Sequence, residues 1–476
     1  MAAGFLVHFY GTSGEFVTNK SQPSATCLSG NNPPPAAGLL VRRIGLFDAT
    51  MVVIGGIVGA GIFMNPAVVA KQLHSPALIL GAWVFGGIIS LLGAFIYAEL
   101  SSVRPHVGGQ YAYFREAFHP IVGFVYGWCL LLVSQSGGMA AVAVTFAQYY
   151  CQLTGFAGPP WRVALTALAV LTIVNCLGVR TGTTVQTVLT VLKVVTIVAL
   201  VTIGWILVKP YGESAGEGIA VSPGDLGPFR QFGSAMVPVL FAYGGWQTAC
   251  FVGGEVYNPQ RNLPRALLWG IFGVIILYLS VSVVCLRAFG PAGLAATSTP
   301  ASDLMRKALG ETGGRLIAAG IVISTFGFLA QGMLTAPRVY FAMARDGMFF
   351  NVFGQVHPTT GAPVAAIALQ GLVAMIIAVS GRYDQILNYV VSVDFIFYGL
   401  TACCVFLFRS GEVAPSGFRI PGHPWTTLFF VLSCWAVVAN LLFGHGQDSL
   451  IGLGILLAGV PVYFLRKALS RSAPSK

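Results

Sequence analysis

The stretch Gly55-Gly56-Ile57-Val58-Gly59-Ala60-Gly61-Ile62-Phe63 places four glycines in seven residues inside an apolar run long enough to cross a membrane. Glycine has no Cβ to favour a helix and leaves its backbone open to close approach, so the helix is expected to open between Val58 and Gly61. In hydrocarbon an opened helix frees N–H and C=O groups, which are tolerated only where they line a cavity or find protein partners. Taken alone, the glycines could equally form a small-residue face for helix packing. They are not alone: Phe241-Ala242-Tyr243-Gly244-Gly245-Trp246 interrupts a second apolar run much later in the chain.

Hydrophobic residues make up 56% of the 476 positions and charged residues only 9%, with a mean hydropathy of +0.79. Soluble domains carry about 25% charged residues, so the composition is that of an integral membrane protein. The net charge of +11 does not indicate nucleic acid, because Lys and Arg lie at the ends of apolar runs and not on one face. None of the nine cysteines forms a CxxC pair, and the seven histidines have no ligand spacing, so neither a metal nor another cofactor is expected.

Residues 1–40, rich in Ser, Asn, Gly and Pro, read as a disordered cytoplasmic tail. From Arg42 onward about twelve apolar runs follow, each matching a helix across a hydrocarbon core of about 30 Å. With the N-terminus inside, sixteen of the 26 Lys and Arg residues fall on the inner side and nine on the outer, with Lys193 inside a span. This bias predicts a multi-pass protein of the cell membrane with both termini cytoplasmic. The interrupted spans are the first and the sixth, so an odd number of helices separates equivalent breaks. The prediction is an all-α integral membrane fold of two inverted five-helix repeats, 41–208 and 231–410, with discontinuous helices 1 and 6. Two extra helices at 420–467 and a short cytoplasmic tail at 468–476 would complete it.

Several segments also carry a resemblance. They are Gly55 to Phe63 with Pro66; Glu99-Leu100 through Pro105, Gly108-Gly109, Tyr111 and Tyr113; Asn175-Cys176 with Gly178 and Arg180 to Gln186; Phe241 to Trp246 followed by Glu255, Asn258-Pro259 and Arg261 to Arg265; and Thr335 to Gly347. In order and spacing the chain resembles the amino acid-polyamine-organocation transporter superfamily, and within it the L-type amino acid transporters and their bacterial relatives. The resemblance implies a secondary transporter of amino acids working by alternating access.

A broken helix offers N–H groups and a positive dipole end to a carboxylate, and free carbonyls to an ammonium group, at one place. This matches the zwitterionic backbone of a free amino acid. Carboxylate contacts are expected from Val58, Gly59, Ala60 and Gly61, and ammonium contacts from the carbonyls of Ile57, Phe241 and Ala242. The resemblance implies the same division, although relatives often have Ser where Ala60 stands. It also makes Phe241 an aromatic gate, with Gly244 and Gln247 shaping the side-chain pocket. Ser134, Gln135, Ser136, Ser324 and Phe328 are further pocket candidates.

Lys193 lies too deep in its span for easy snorkelling, and an ionisable group there marks function. By resemblance its ammonium sits where sodium-coupled relatives hold a cation. Two roles compete, a titrating lysine that couples proton entry and a fixed charge in a sodium-independent exchanger, and the fixed charge is favoured. Asp394 is a second mid-span charge that could pair with Lys193, bind a proton or read a basic substrate. Glu99 and Glu255, beside arginines near span ends, are candidates for inner-gate ion pairs.

No HExxH, paired-Asp or GxSxG pattern suggests an enzyme. The reading is therefore a sodium-independent exchanger or proton symporter of neutral amino acids. A carrier of cationic amino acids or polyamines, and a sensor that binds amino acid without moving it, are the alternatives. Its partners are the free amino acid and membrane lipid, with no nucleic acid. Cys151 would be the attachment point of a heavy chain of the animal type, but its setting resembles a span end, so that partner is not expected.

Overall fold

The computed structural model describes residues 42–212, 228–380, 383–410, 417–444 and 446–472. The expected N-terminal tail lies outside the described residues. The chain runs through α1 (Leu46–Ile57), α2 (Gly61–Gln72), α3 (Pro76–Val103), α4 (Gln110–Ala117) and α5 (Pro120–Cys129). A π-helical turn, Leu130–Ser134, leads into α6 (Gln135–Thr154), then α7 (Pro160–Cys176), α8 (Val179–Leu207) and α9 (Pro228–Tyr243). A 3₁₀ segment, Trp246–Glu255, precedes α10 (Pro259–Ala296), α11 (Pro300–Thr335), α12 (Pro337–Arg345), α13 (Val364–Ser380), α14 (Tyr383–Arg409), α15 (Trp425–Gly444) and α16 (Gly446–Ser472). The last helix continues through residues expected to begin the C-terminal tail.

Prolines open many of these helices. Pro76, Pro120, Pro160, Pro259, Pro300 and Pro337 stand in first turns, where the missing N–H has no intrahelical partner to lose and φ is preset. Among the described residues ten helical runs are long and apolar enough to cross a membrane. Two shorter apolar helices, Pro160–Cys176 and Val364–Val379, account for two more of the apolar runs.

The arrangement is concentric. The spans Leu46–Gln72 and Pro120–Thr154 are 89% buried inside the protein over their most apolar windows, whereas Leu450–Ala468 is only 17% buried. The outer helices present large apolar side chains such as Ile173, Ile206, Leu432 and Leu465. Apolar surface on that scale is stable only against lipid. The protein is thus a multi-pass membrane protein whose least regular segments are its most enclosed.

Both glycine-rich breaks are real, and they meet. α1 ends at Ile57, Val58 is extended (φ −75°, ψ 100°), and α2 starts at Gly61. In the later span α9 ends at Tyr243, and the chain resumes after Gly245 as ten residues of 3₁₀ helix. Runs of 3₁₀ longer than three or four residues are uncommon. Here close packing holds the segment: a Cβ at Gly109 would lie 3.0 Å from Cys250 Cβ, and one at Gly253 3.2 Å from Leu263. α1 packs on the 3₁₀ segment and α2 on α9, so the half-helices pair across the two breaks.

Gly245 sits at the crossing with φ +102°, and a Cβ there would collide with the Gly56 carbonyl oxygen. Gly245→Ala is expected to cost about 1–3 kcal/mol in backbone conformation alone, before that collision. The expected result is a monodisperse yield in detergent well below that of Gly81→Ala, a site where a Cβ meets nothing. Size-exclusion chromatography of a fluorescent fusion reads both.

Candidate functional site

The two breaks line one cavity of about 760 Å³, counting its mouth. From the first come Gly56, Ile57, Gly59, Ala60 and Gly61, and from the second Phe241, Ala242, Gly244, Gly245, Gln247 and Thr248. The opposite wall is Leu130, Ser134, Gln135, Gly138 and Val142 from the π turn and α6, with Phe328 and Gln331 of α11 and Val390, Val391, Asp394, Phe395 and Tyr398 of α14. Its mostly apolar walls with a few polar groups suit a small molecule.

Of the residues expected to bind substrate, all but Val58 line this cavity. Val58 faces away: its N–H donates to the Ile54 carbonyl (2.8 Å) and its carbonyl accepts from Lys193 Nζ (2.7 Å). The last turn of α1 keeps its own i→i−4 bond, which removes the amide that was expected to meet a carboxylate. Among the described residues the amides of Gly59 and Ala60 meet no hydrogen-bond acceptor. They point from the N-terminal end of α2, where the positive helix dipole favours an anion.

The carbonyl side is arranged by Tyr278 of α10, which nothing in the sequence singles out among 16 tyrosines. Its buried hydroxyl lies 3.1 Å from both the Ile57 and Ala242 carbonyl oxygens, donating to one or the other. Each oxygen keeps a lone pair free. The Phe241 carbonyl accepts from the Gly244 amide at 3.1 Å, which tightens the second break. That break is held further by Gln331, whose Nε2 donates to Thr248 Oγ1 (2.5 Å), which donates in turn to the Gly245 carbonyl (2.6 Å). Gln247 Oε1 accepts from the Gly245 amide at 3.1 Å. Gln331 also went unremarked in the sequence, although an amide side chain within an apolar span was a legible signal for it.

Lys193, fully buried, donates to the carbonyls of Gly55 (3.1 Å) and Val58 (2.7 Å). Ser324 adds a bond to the Gly59 carbonyl (3.2 Å). Carbonyls freed at a half-helix C-terminus are the ligands that hold a sodium ion in transporters with broken helices. Here an ammonium group occupies that position. Among the described residues no group of His, Cys, Asp and Glu could hold a metal ion.

Lys193 and Asp394, whose pairing was one of the possibilities the sequence left open, are separate. No ion pair joins them; Lys193 sits behind the first break and Asp394 lines the cavity. α8 and α14 approach the breaks from different directions, which spacing along the chain could not reveal. Among the other candidates, Ser134, Gln135 and Phe328 line the cavity, while Ser136 is buried outside it and accepts from Gln370 (2.9 Å).

Near the start of the described chain, segments far apart in sequence are tied together by hydrogen bonds and ion pairs. The amides of Arg43 and Ile44 donate to the Glu255 carbonyl at 2.7 and 2.9 Å, and Tyr257 N–H donates to Ile44 (2.9 Å). Arg338 Nε meets Glu255 Oε1 at 2.8 Å, both side chains being essentially inaccessible. Arg409 grips Glu99 with two 2.6 Å bonds, and Glu99 also accepts from Ile420 N–H. Arg115 and Tyr111 meet at Asp346.

The amino acid permease family model matches residues 44–460, from the strand-like pairing at Ile44 into α16. The chain belongs to that family. The permease is 30% identical over 435 residues to the serine/threonine exchanger SteT of Bacillus subtilis, covering 89% of this chain and 97% of that one. It is 31% identical over 445 residues to the large neutral amino acids transporter small subunit 2 of Mus musculus, covering 90% of this chain and 81% of that one. The mouse Asc-type amino acid transporter 1 is 28% identical over 447 residues, with 90% and 81% covered. The permease is therefore an amino acid transporter, as the resemblance implied.

Lys193→Met in the permease leaves the Gly55 and Val58 carbonyls without their charged donor. Hydrogen bonds to charged groups contribute about 1.5–3 kcal/mol, partly offset by the burial cost that disappears with the charge. We expect uptake to be lost and the melting temperature in detergent to fall. Lys193→Arg should not restore uptake, because a planar fork cannot replace a compact ammonium between two carbonyls. Uptake equal to wild type in Lys193→Met would rule out this role.

Proposed function

We propose that the protein exchanges neutral α-amino acids across the cell membrane without sodium, by alternating access, with both termini in the cytoplasm. The observation that carries this reading is the placement, in one cavity, of the unpaired amides of Gly59 and Ala60 opposite the carbonyls of Ile57 and Ala242. An α-carboxylate fits the first pair and an α-ammonium the second. The lysine behind the break supplies the positive charge that a sodium ion would bring, which supports sodium independence. Exchange draws support from SteT, whose name describes an exchanger, and neutral substrates from the name of the large neutral amino acids transporter.

In this reading the ion pairs Glu255–Arg338 and Glu99–Arg409 serve as the inner gate, and Phe241 covers the substrate from the other side. The carrier is proposed to work without a heavy chain. Cys151 is half-buried within α6, and its carbonyl caps that helix by accepting from Gly155 N–H. No enzymatic role is proposed.

Purified protein in proteoliposomes should take up radiolabelled L-alanine several-fold faster with internal alanine than without, and replacing sodium by choline should leave the rate unchanged. Acceleration by an inward proton gradient with empty vesicles would establish proton symport instead, and binding without flux would make the protein a sensor. A second measurement tests the gate. Arg338→Ala strands Glu255 in a buried site and should cost about 3–5 kcal/mol, whereas the paired change Arg338→Met with Glu255→Leu should regain most of that stability. Melting curves in detergent report both.

A further inference from the structure

The cavity holds a carboxylate that the zwitterion site does not use. Asp394, on α14, lines the wall opposite the breaks and is partly open to the cavity. Its hydrogen-bonding neighbour is Ser134, on the π turn that bulges towards it. Among the described residues no Lys, Arg or His pairs with it. The titratable groups around it are Tyr126 and Cys129 on α5 and Tyr398 one turn along its own helix, none of them cationic. An intramembrane carboxylate is costly unless something meets its charge, and such residues face substrate pathways. Among the described residues no cation meets this one.

The space beside Asp394 is also provided for. Gly138 follows Ser134 by one helical turn on the same cavity wall, and a Cβ there would meet no atom within 4 Å. The amides and carbonyls at the two breaks already balance a zwitterion, so the carboxylate is left for what the substrate carries beyond its α-carbon. Resting on the exchanger reading, we infer that the cavity also accepts amino acids with a short side-chain ammonium group, which Asp394 and Ser134 bind while Gly138 leaves it room. A charge-assisted hydrogen bond from that ammonium would replace the water the carboxylate loses in the closed carrier.

The test is counterflow of radiolabelled L-ornithine and L-alanine into alanine-loaded proteoliposomes of the full chain. Wild type should take up both. Asp394→Asn should lower the ornithine-to-alanine ratio by roughly 10- to 100-fold, the loss of one hydrogen bond to a charged group. Asp394→Glu should recover part of the ratio, and Gly138→Val should depress it by filling the space. Melting of wild type in detergent should rise with ornithine, and that shift should shrink in Asp394→Asn even where its flux is too low to measure. Vesicles that exchange alanine but not ornithine would overturn the inference and leave the exchanger standing, and vesicles that move neither would overturn both. An unchanged ratio in Asp394→Asn, with loss of proton-driven uptake, would make Asp394 a proton site instead.

Discussion

The ammonium of Lys193 on the carbonyls of Gly55 and Val58 is the contact on which the rest of the site depends. A helix opened inside a membrane strands carbonyls at the end of its first half, and no water is there to satisfy them. One buried cation answers two of them, and its own desolvation is offset by bonding to oxygens that are otherwise unsatisfied. With the carbonyl end of α1 held, the chain can turn away at Val58, and the amides of Gly59 and Ala60 stay free at the mouth of α2. The same residue that stabilises the break therefore leaves the cavity two amides with no acceptor among the described residues.

The second break is held by different means. Tyr278 links the Ile57 and Ala242 carbonyls, and the Gln331–Thr248–Gly245 chain fixes the turn with neutral hydrogen bonds, each contributing about 0.5–1.5 kcal/mol. Glu255 and Arg338 are buried, yet among the described residues one carboxylate oxygen and one guanidinium nitrogen of the pair meet no partner. A pair satisfied so incompletely is held by less than its full complement of hydrogen bonds.

Both breaks were legible because a cluster of glycines weakens any helix that contains it, and Lys193 because a charge at that depth must be met by some partner. The residues next to the glycines line the cavity as helix-end chemistry suggests, with Val58 the exception: its amide completes the last turn of α1, a one-residue matter that helix ends do not advertise. Glu99 and Glu255 were visible as gate candidates by their neighbours along the chain, but their partners Arg409 and Arg338 come from helices far away in sequence.

Sequence alone determined the membrane class, the family and the positions of the two helix breaks, because these depend on local composition: apolar length, glycine clustering and motif order. Tertiary structure decided which charges meet. Lys193 turned to the carbonyls of α1, Asp394 turned into the cavity, and Tyr278 spanned two breaks 185 residues apart by sequence, since Ile57 and Ala242 are neighbours only after folding. Direction around a helix bundle is set by packing among all its members, and no stretch of sequence carries that information by itself.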